Sequence, residues 1–390
     1  MKRVVVWRTA MLPGSETFVR AQADALSRWE PRFLGAVRVA SPLARDDDVI
    51  AFPPGFLRVR LTGTSPRLRQ VLADLAPRLV HAHFGGDGWM ISDAAAHLGV
   101  PLAVTLHGHD VTRQPDTRGV KGLRYRRNLR TVFDRAALLL AVSAPVRDRA
   151  IALGADPAKV RIHHTGVHLP PPGPPAAKRW DIAFVGRLVE KKGLDDLLAA
   201  AATLTDLKPR ILIVGDGPLA QPLRDQAAAL GVDATFAGPQ DHATAGRSMA
   251  EARIFASPSR TAPDGDSEGL PTTILEAQAR GVPVVSTRHS GIPEAVIHDT
   301  TGLLGAEGDR EALARHLRLL LTDEPLRARL GHQARAHVAD RFDLTHQTAR
   351  LEDLYDELTT AHPEQPHHQV TTAHPEQPHD QVITARPERP

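Results

Sequence analysis

Short runs of β-branched and aliphatic residues alternate with longer segments of helical periodicity along most of the 390-residue chain. A strand, a helix and a second strand in succession favour parallel pairing through a right-handed crossover, the usual connection in α/β proteins. Helices are expected between the strands, for example at 17–29, 65–76 and 143–153. The strands are predicted at 3–7, 32–39, 79–84, 101–107, 137–143, 159–166, 181–187, 209–218, 233–239, 253–259 and 282–287. The pattern predicts a doubly wound α/β architecture.

A proline-rich segment, HLPPPGPPAAKRWD at 168–181, interrupts the alternation and cannot continue a helix or a strand. Because a domain usually has about 150 residues, we expect two Rossmann-like domains facing each other across a central cleft. Their predicted bounds are 1–170 and 181–335, joined by a linker at 171–180. A helix at 336–357 is expected to pack back towards the first domain.

The last part of the chain, 358–390, repeats a polar motif with a twelve-residue period, as in LTTAHPEQPHHQ followed by VTTAHPEQPHDQ. The motif is rich in proline and has no hydrophobic stripe. Burial of apolar surface cannot offset the loss of chain entropy in such a segment, so it is predicted to be disordered.

Charge and cysteine content exclude several classes of protein. The 48 basic and 45 acidic residues give a net charge of +3, too balanced for a dedicated nucleic-acid-binding protein. The absence of cysteine excludes disulfides and Cys-zinc sites. No apolar run approaches the roughly 18 residues of a membrane span, and MKRVVVW lacks the order of a signal peptide. A soluble, cytoplasmic protein is expected.

The segment DGDSEGLPTTILEAQARGVPVV at 264–285 contains two glutamates, Glu268 and Glu276, on either side of a proline. Pro271 suits the first turn of a helix and Gly281 suits its end, so a helix is predicted at 271–280. Glu268 then lies in the loop before the helix and Glu276 on its second turn. A helix N-terminus favours phosphate, and carboxylates accept hydrogen bonds from sugar hydroxyls. The alternative is a pair of solvated acids without function.

A second motif, VGRLVEKKG at 185–193, favours the phosphate-binding interpretation because it adds Arg187 and Lys192 in a loop after a strand. Together with LIVGDGP, ARIFASPS and EGLPTTILEAQARGVPVVSTRHSGIPE, it resembles the donor domain of retaining glycosyltransferases of family four, which have the GT-B fold. The resemblance is dense over 181–305 and thinner in the first half.

The resemblance implies a role for each matching residue. Arg187 and Lys192 would hold the diphosphate of a nucleotide sugar, and Glu276 would bind the ribose hydroxyls. The donor sugar and β-phosphate would contact Glu268 and the turn that follows it, Gly269, Leu270 and Pro271. It also implies a retaining, metal-independent hexosyltransferase without a cofactor, using a UDP-linked hexose or N-acetylhexosamine as co-substrate.

The first half contains weaker signals. AMLPGSETF at 10–18 places Gly14 where the backbone would approach the diphosphate and Glu16 at the cleft, unless it is a simple strand-to-helix turn. The motif TLHGHDVT resembles the acceptor side of the family, with His107 beside the reacting sugar and Asp110 orienting the loop or the acceptor. HFGGDG places Asp87 at another strand end.

The acceptor is the least constrained part of the interpretation. Sequence segments that resemble PGSETF occur in exopolysaccharide and some actinobacterial antibiotic glycosyltransferases. The acidic residues Glu16, Asp87 and Asp110 would suit a cationic aminocyclitol such as 2-deoxystreptamine. The alternative acceptors are exopolysaccharide or lipid-linked glycan intermediates, and the alternative functions are a nucleotide-sugar epimerase and a sugar-nucleotide sensor.

The segment 113–135 has eight basic residues and suits either an anionic membrane surface or a solvated helix face. Its sequence shows no strong apolar face. Peripheral membrane contact is therefore not favoured.

Overall fold

A computed structural model describes residues 1–52, 57–171, 173 and 176–361. The described residues form thirteen strands and fifteen α-helices, arranged around two parallel sheets. The first sheet has seven strands in the order β3-β2-β1-β4-β5-β6-β7. Its strands are β1 (Lys2–Met11), β2 (Trp29–Arg38), β3 (Val49–Ile50), β4 (Leu79–His83), β5 (Leu102–Leu106), β6 (Leu138–Ala141) and β7 (Val160–Ile162).

The helices of the first half cover both faces of this sheet, as expected for right-handed crossovers. They are α1 (Thr17–Asp24), α2 (Leu57–Thr62), α3 (Pro66–Asp74), α4 (Gly85–His97), α5 (Arg113–Asp116), α6 (Gly119–Arg135) and α7 (Ala144–Ala152). The predicted helix 17–29 is shorter than expected, since α1 ends at Asp24 and β2 begins at Trp29.

The second sheet has six strands in the order β10-β9-β8-β11-β12-β13. Its strands are β8 (Trp180–Val185), β9 (Ile211–Val214), β10 (Ala234–Gly238), β11 (Ala252–Ser257), β12 (Val284–Thr287) and β13 (Gly302–Gly305). Its helices are α8 (Leu194–Ala202), α9 (Ala220–Leu230), α10 (His242–Ala250), α11 (Thr272–Ala279), α12 (Ile292–Ala295), α13 (Arg310–Thr322) and α14 (Glu324–Arg341). The prediction of two doubly wound α/β domains is confirmed.

The C-terminal part differs from the single helix predicted at 336–357. α14 ends at Arg341, and a new helix, α15 (Leu344–Ala361), follows. The helix is broken because the backbone there pairs with Val167: Val167 N–H donates to Phe342 O at 2.9 Å, and Leu344 N–H donates to Val167 O at 3.0 Å. Phe342 is buried at this break. The predicted disordered repeats begin at 358, but 358–361 continue α15, and 362–390 lie outside the described residues.

The last described helix, α15, packs on the first sheet. Leu351 and Tyr355 are buried in a cluster with Val4, Trp29 and Leu79. Glu352, whose side chain is only 1% exposed, accepts hydrogen bonds from the backbone N–H groups of Ser27, Arg28 and Trp29 at 2.8, 2.6 and 3.1 Å. α15 thus completes the core of the first half. None of the helices in the described residues, α15 included, has the length and apolar character to span a bilayer.

Glu352→Ala should lower the free energy of unfolding of the first half by about 3 kcal/mol, because three N–H groups, of which that of Trp29 is buried, lose a charged acceptor. Urea unfolding followed by circular dichroism measures the change. The control is Asp353→Ala, which removes only an ion pair between side chains that are 46% and 63% exposed and should cost under about 0.5 kcal/mol. Equal losses in the two variants would contradict the role of Glu352.

Candidate active site

The carboxyl ends of the two sheets face each other across a cleft of about 1430 Å³. Ligands of doubly wound α/β domains bind at this edge of the sheet. The walls of the cleft include every residue that the sequence placed in a site, from both halves. These are Gly14, Glu16, Asp87, His107, Asp110, Arg187, Lys192, Glu268, Gly269, Leu270, Pro271 and Glu276. The structure therefore brings the whole predicted set together, and the role of each residue stays a prediction.

The loop after β8 presents Arg187 to the cleft. Its side chain is exposed and has no ion-pair partner among the described residues. The chain then forms a 3₁₀ turn at Glu190–Lys192 and enters α8 through Gly193, whose φ is 63°. A Cβ at Gly193 would lie 2.0 Å from the carbonyl oxygen of Pro258, so only glycine fits. This tight turn holds the two lysines that follow Arg187 against the cleft.

Those lysines contact the acidic loop before α11. Lys192 Nζ lies 3.2 Å from Glu268 Oε1. Lys191 Nζ lies 3.1 Å from Asp266 Oδ1 and 3.7 Å from Glu268 Oε1. Burial raises the pKa of Glu268, but the charges of Lys192 and Lys191, a hydrogen bond from Lys192 and the neighbouring His289 together lower it by more, so its net pKa is below the ordinary value. Glu268 is consequently ionised at neutral pH.

The backbone of this loop is fixed by His289. The N–H of Glu268 donates to His289 Nε2 at 3.1 Å, and the hydroxyl of Ser290 donates to the carbonyl of Glu268 at 2.7 Å. The other ring nitrogen, Nδ1, lies 2.7 Å from Glu307 Oε1. Since Nε2 accepts a hydrogen bond, Nδ1 carries the proton and donates it to Glu307. His289 thereby sets the orientation of the Glu268 loop.

α11 begins at Thr272, with Pro271 as its N-cap residue, and places Glu276 at the cleft. The predicted helix 271–280 is thus confirmed to within one residue at each end. Burial raises the pKa of Glu276 to about 7, although the charge of Arg280 and a hydrogen bond from Thr272 lower it. The carboxyl therefore changes its charge near neutral pH, unlike Glu268.

Across the cleft, Arg8, within β1, binds the two acidic residues expected to contact the acceptor. Its Nε donates to Glu16 Oε2 at 2.7 Å, and its Nη1 forms an ion pair with Asp87. The Thr9 N–H also donates to Asp87 Oδ2 at 2.7 Å. The Arg8 guanidinium lies 4.4 Å from the centre of the Phe84 ring. Glu16 and Asp87 are therefore paired within the protein, contrary to the expectation of free carboxylates for a cationic acceptor.

His107 directly follows β5 and lies in an aromatic setting beside Phe18 and Phe84, whose ring centres are 5.0 and 4.4 Å away. Burial, followed by the charge of Arg8, lowers the pKa of His107 to about 3, so the ring is neutral. Asp110 is 2% exposed and accepts hydrogen bonds from the N–H groups of Gly85, His107 and Gly108 at 2.9, 3.0 and 3.0 Å. These contacts suit a loop-orienting role for Asp110.

A column of histidines continues from His107 into the first half. His83 Nδ1 lies 3.1 Å from His107 Nε2, and the rings of His83 and His81 stack at 4.5 Å. His81 in turn hydrogen-bonds Tyr355 of α15 at 2.5 Å and Thr105 at 2.7 Å. Burial lowers the pKa of both His81 and His83, so the column is neutral. The contact with His83 thereby fixes the position of Nε2 in the His107 ring.

Two glycines allow the loops of the two halves to touch. A Cβ on Gly269 would lie 2.2 Å from His107 O, and one on Gly108, whose φ is +111°, would lie 2.8 Å from Gly269 N. Gly14 differs, because a Cβ there would meet only the side chain of Pro42, at 3.6 and 3.9 Å. Its expected role, to let the backbone approach the diphosphate of the donor, stays a prediction.

Sequence reasoning missed three residues that organise the site: Arg8, Lys191 and His289. Arg8 could have been noticed as a cation at the end of an otherwise apolar strand, RVVVWR. Lys191 stands next to Lys192, but only the fold shows which of the two contacts Asp266. For His289 the sequence offers no signal beyond a polar residue shortly after β12.

Two family models match the chain. Residues 14–169 match the model for Glycosyltransferase Family 4. Residues 170–337 match the model for glycosyl transferases group 1. The two matches meet at 169 and 170, just before the linker predicted at 171–180.

Two related glycosyltransferases extend the comparison. An amylovoran biosynthesis glycosyltransferase, AmsK of Erwinia amylovora, is 32% identical over 65% of this chain, and the match spans 63% of that protein. A GDP-mannose-dependent alpha-(1-6)-phosphatidylinositol monomannoside mannosyltransferase of Mycolicibacterium smegmatis is 30% identical over 84% of this chain and 89% of its own length. The chain thus spans less than two thirds of the first relative and most of the second.

A solved structure shares the fold. HepE of Anabaena in complex with UDP aligns with a TM-score of 0.74 over 92% of this chain and 100% of that chain, at 20% identity. The likeness to HepE and the two parallel sheets show that this chain has the GT-B fold. By its matches to both models and its similarity to the mannosyltransferase, the chain belongs to glycosyltransferase family 4.

Proposed function

We propose that this glycosyltransferase moves a hexose or N-acetylhexosamine from a UDP-linked donor to a hydroxyl group of a glycan intermediate, with retention of configuration and without a metal ion. One observation carries the proposal: Arg187, Lys192, Glu268 and Glu276 line a single cleft together with the first residues of α11, Thr272 and Thr273. This arrangement offers cations and free N–H groups to a diphosphate, and carboxylates to sugar hydroxyls.

The donor would lie along the second half of the cleft. Its diphosphate would bind between Arg187 and the first N–H groups of α11, because both are positive and lack partners among the described residues. Its ribose hydroxyls would donate to Glu276. The transferred sugar would contact Glu268 and the turn Gly269–Pro271, opposite His107.

The chemistry would be a displacement at the anomeric carbon. The bond from that carbon to the diphosphate oxygen breaks, and the acceptor oxygen forms a bond on the same face. The acceptor proton passes to the departing diphosphate. Arg187 and Lys192 would stabilise the negative charge that develops on the leaving group, and each preorganised donor can contribute about 3 kcal/mol. These two side chains would supply the charge that a metal ion provides in other transferases.

A glycan acceptor replaces the cationic aminocyclitol expected from sequence. The oxygens of Glu16 and Asp87 are held by Arg8, and those of Asp110 by backbone N–H groups, so these acidic residues are already engaged within the protein rather than presented to an amine. The two relatives are named for amylovoran biosynthesis and for a phosphatidylinositol mannoside. Both names support a saccharide acceptor.

The test is incubation with a panel of UDP-sugars, with GDP-mannose included, in the presence and absence of membrane-extracted glycan acceptors. Release of UDP that requires an acceptor, undiminished by EDTA, is expected, and proton NMR of the product should show the donor's anomeric configuration. Conversion of the donor sugar without acceptor would instead identify an epimerase, and binding without turnover would identify a sensor. A product of inverted configuration would contradict the retaining mechanism.

Arg187→Ala and Lys192→Ala should each lower kcat by roughly 100-fold or more, since each removes a charge that stabilises the leaving diphosphate. Turnover is measured by release of the nucleoside diphosphate. Arg253→Ala is the matched control, because Arg253 is 44% exposed, pairs with Asp181 and lies outside the cleft. Near-normal turnover in either cleft variant, with an intact thermal transition, would refute the assignment.

Glu276 gives the donor affinity a dependence on pH. Ribose hydroxyls donate to the ionised carboxylate, whose pKa is raised to about 7, so binding of a UDP-sugar should tighten as pH rises from about 6 to about 8. A UDP-sugar is the right probe because its diphosphate diester does not titrate in this range. Isothermal titration calorimetry measures the affinity.

The control for this dependence is Glu276→Gln, which keeps the shape but does not titrate. It should bind more weakly above pH 7 and lose the dependence on pH. A pH profile that persists unchanged in the variant would assign the titration to another group, such as His242, which lies 4.0 Å from Glu276.

A further inference from the structure

Phe84 has a backbone conformation that residues with a side chain rarely adopt. It lies between β4 and α4 with a φ of 73° and a ψ of 140°, outside the left-handed helical region that non-glycine residues occasionally enter. Six non-glycine residues in the described ranges have positive φ, and Phe84 is the aromatic one among them, with the largest value. A bulky residue in this region costs free energy, so the surrounding structure must hold it there.

Hydrogen bonds fix the peptide groups on both sides of Phe84. Its N–H donates to Thr105 O at 2.8 Å, and its carbonyl oxygen accepts from Gly88 N–H at 2.9 Å. The next N–H, that of Gly85, donates to Asp110 Oδ2 at 2.9 Å. These contacts involve only the backbone of residue 84, so they would hold any residue in the same conformation, and glycine would adopt it with the least strain.

Packing in the hydrophobic core does not account for the phenylalanine. Phe84 is only partly buried and belongs to none of the hydrophobic clusters that the described residues form. Its ring instead contacts two residues of the cleft wall. The Arg8 guanidinium lies 4.4 Å from the ring centre, and the centre of the His107 ring lies at the same distance, with the two planes tilted by 38°. A glycine at 84 would relieve the backbone but lose both contacts.

The imidazole of His107 needs such a contact to fix its plane. Its Nε2 lies 3.1 Å from His83 Nδ1, whereas its Nδ1 has no hydrogen-bond partner within the described ranges. One hydrogen bond fixes one atom of the ring and leaves the ring free to rotate about that atom. The rings of Phe84 and Phe18, at 4.4 and 5.0 Å, restrict this rotation.

We propose that Phe84 is a positioning residue, whose ring fixes the plane of the His107 imidazole for the transfer step while its backbone bears the strain. The inference rests on the proposed function, in which the transferred sugar lies opposite His107. It goes beyond that function because it assigns a role to a residue that need not touch either substrate. A misplacement of about 1 Å in a reacting group can cost roughly 100-fold in rate.

Thermal unfolding of the full chain compares Phe84→Gly with Phe84→Ala. Both variants lose the ring, but only glycine relieves the backbone, so Phe84→Gly should have the higher Tm. The matched control is the same pair of substitutions at Phe18, which also contacts His107 but lies in α1 with a helical backbone. There the order should be reversed, because glycine is a poorer helix former than alanine. A lower Tm for Phe84→Gly than for Phe84→Ala would overturn the proposal.

NMR titration tests the contact with His107 without any need for turnover. Burial lowers the pKa of His107 to about 3. In Phe84→Gly the imidazole becomes accessible to water, so its pKa should rise towards the ordinary value. The charged and titratable groups that face it from other strands, Arg8 of β1 with His81 and His83 of β4, are unchanged in this variant. Coincident titration curves for the variant and the unmodified chain would overturn the proposal.

Steady-state kinetics tests the role in transfer. Phe84→Gly should lower kcat by about tenfold or more and leave KM for donor and acceptor within about twofold, since the ring acts on the geometry of the transfer step rather than on binding. An unchanged kcat would overturn the proposal. A raised acceptor KM alongside it would show that the ring binds the acceptor instead.

A double-mutant cycle of Phe84→Gly and His107→Ala separates this proposal from the proposed function. If the ring acts through His107, the double variant should be no slower than His107→Ala alone. Losses that multiply would overturn the positioning role, because Phe84 would then act independently. Full turnover by His107→Ala would contradict the placement of His107 beside the transferred sugar. Full turnover by Phe84→Gly together with a slow His107→Ala would contradict only the role of Phe84.

Discussion

The organisation of the cleft depends on one close approach between backbones. The loop after β5 and the loop before α11 meet at Gly108 and Gly269, where a side chain on either residue would collide with the opposite backbone. Ser143 adds a hydrogen bond from its hydroxyl to Gly269 O at 3.1 Å. Because these two loops touch without intervening side chains, His107 and Glu268 share one cavity. A bulkier contact would separate the two halves of the proposed site.

The charged residues of the cleft form local ion pairs rather than one extended region of a single sign. Arg8 forms ion pairs with Glu16 and Asp87 on one wall, and Lys192 and Lys191 form ion pairs with Glu268 on the other. Arg187 is left without such a partner in the described ranges. A dianion that enters the cleft would therefore first meet Arg187, the cation without an ion-pair partner, and would compete with Glu268 for Lys192. Burying charges in compensated pairs limits the desolvation penalty that each would otherwise suffer.

Local patterns predicted much of this fold and part of the site. Pro271 and Gly281 predicted each end of α11 to within one residue. Both residues act through backbone geometry within a single turn of the helix. β13 was missed because GLLG is short and bounded by glycines, which are poor strand formers. The break at Phe342 and the pairing of Arg8 with Asp87 were also missed, since both depend on contacts between residues far apart in sequence. The acidic residues lie in one cleft, as the sequence led us to expect, but their partners, and hence their chemistry, depend on the tertiary fold.

The return of α15 to the first sheet has a consequence for the order in which the protein is made. Glu352 and Tyr355 fill positions in the first half that no earlier residue occupies, so that half stays incomplete until the ribosome has synthesised nearly the whole described chain. The second half, whose strands and helices are contiguous from Trp180 to Arg341, can fold before the first half is finished. A fragment cut at the linker would accordingly expose Val4, Trp29 and Leu79, and the first half is better isolated as a circular permutant that carries α15 ahead of β1.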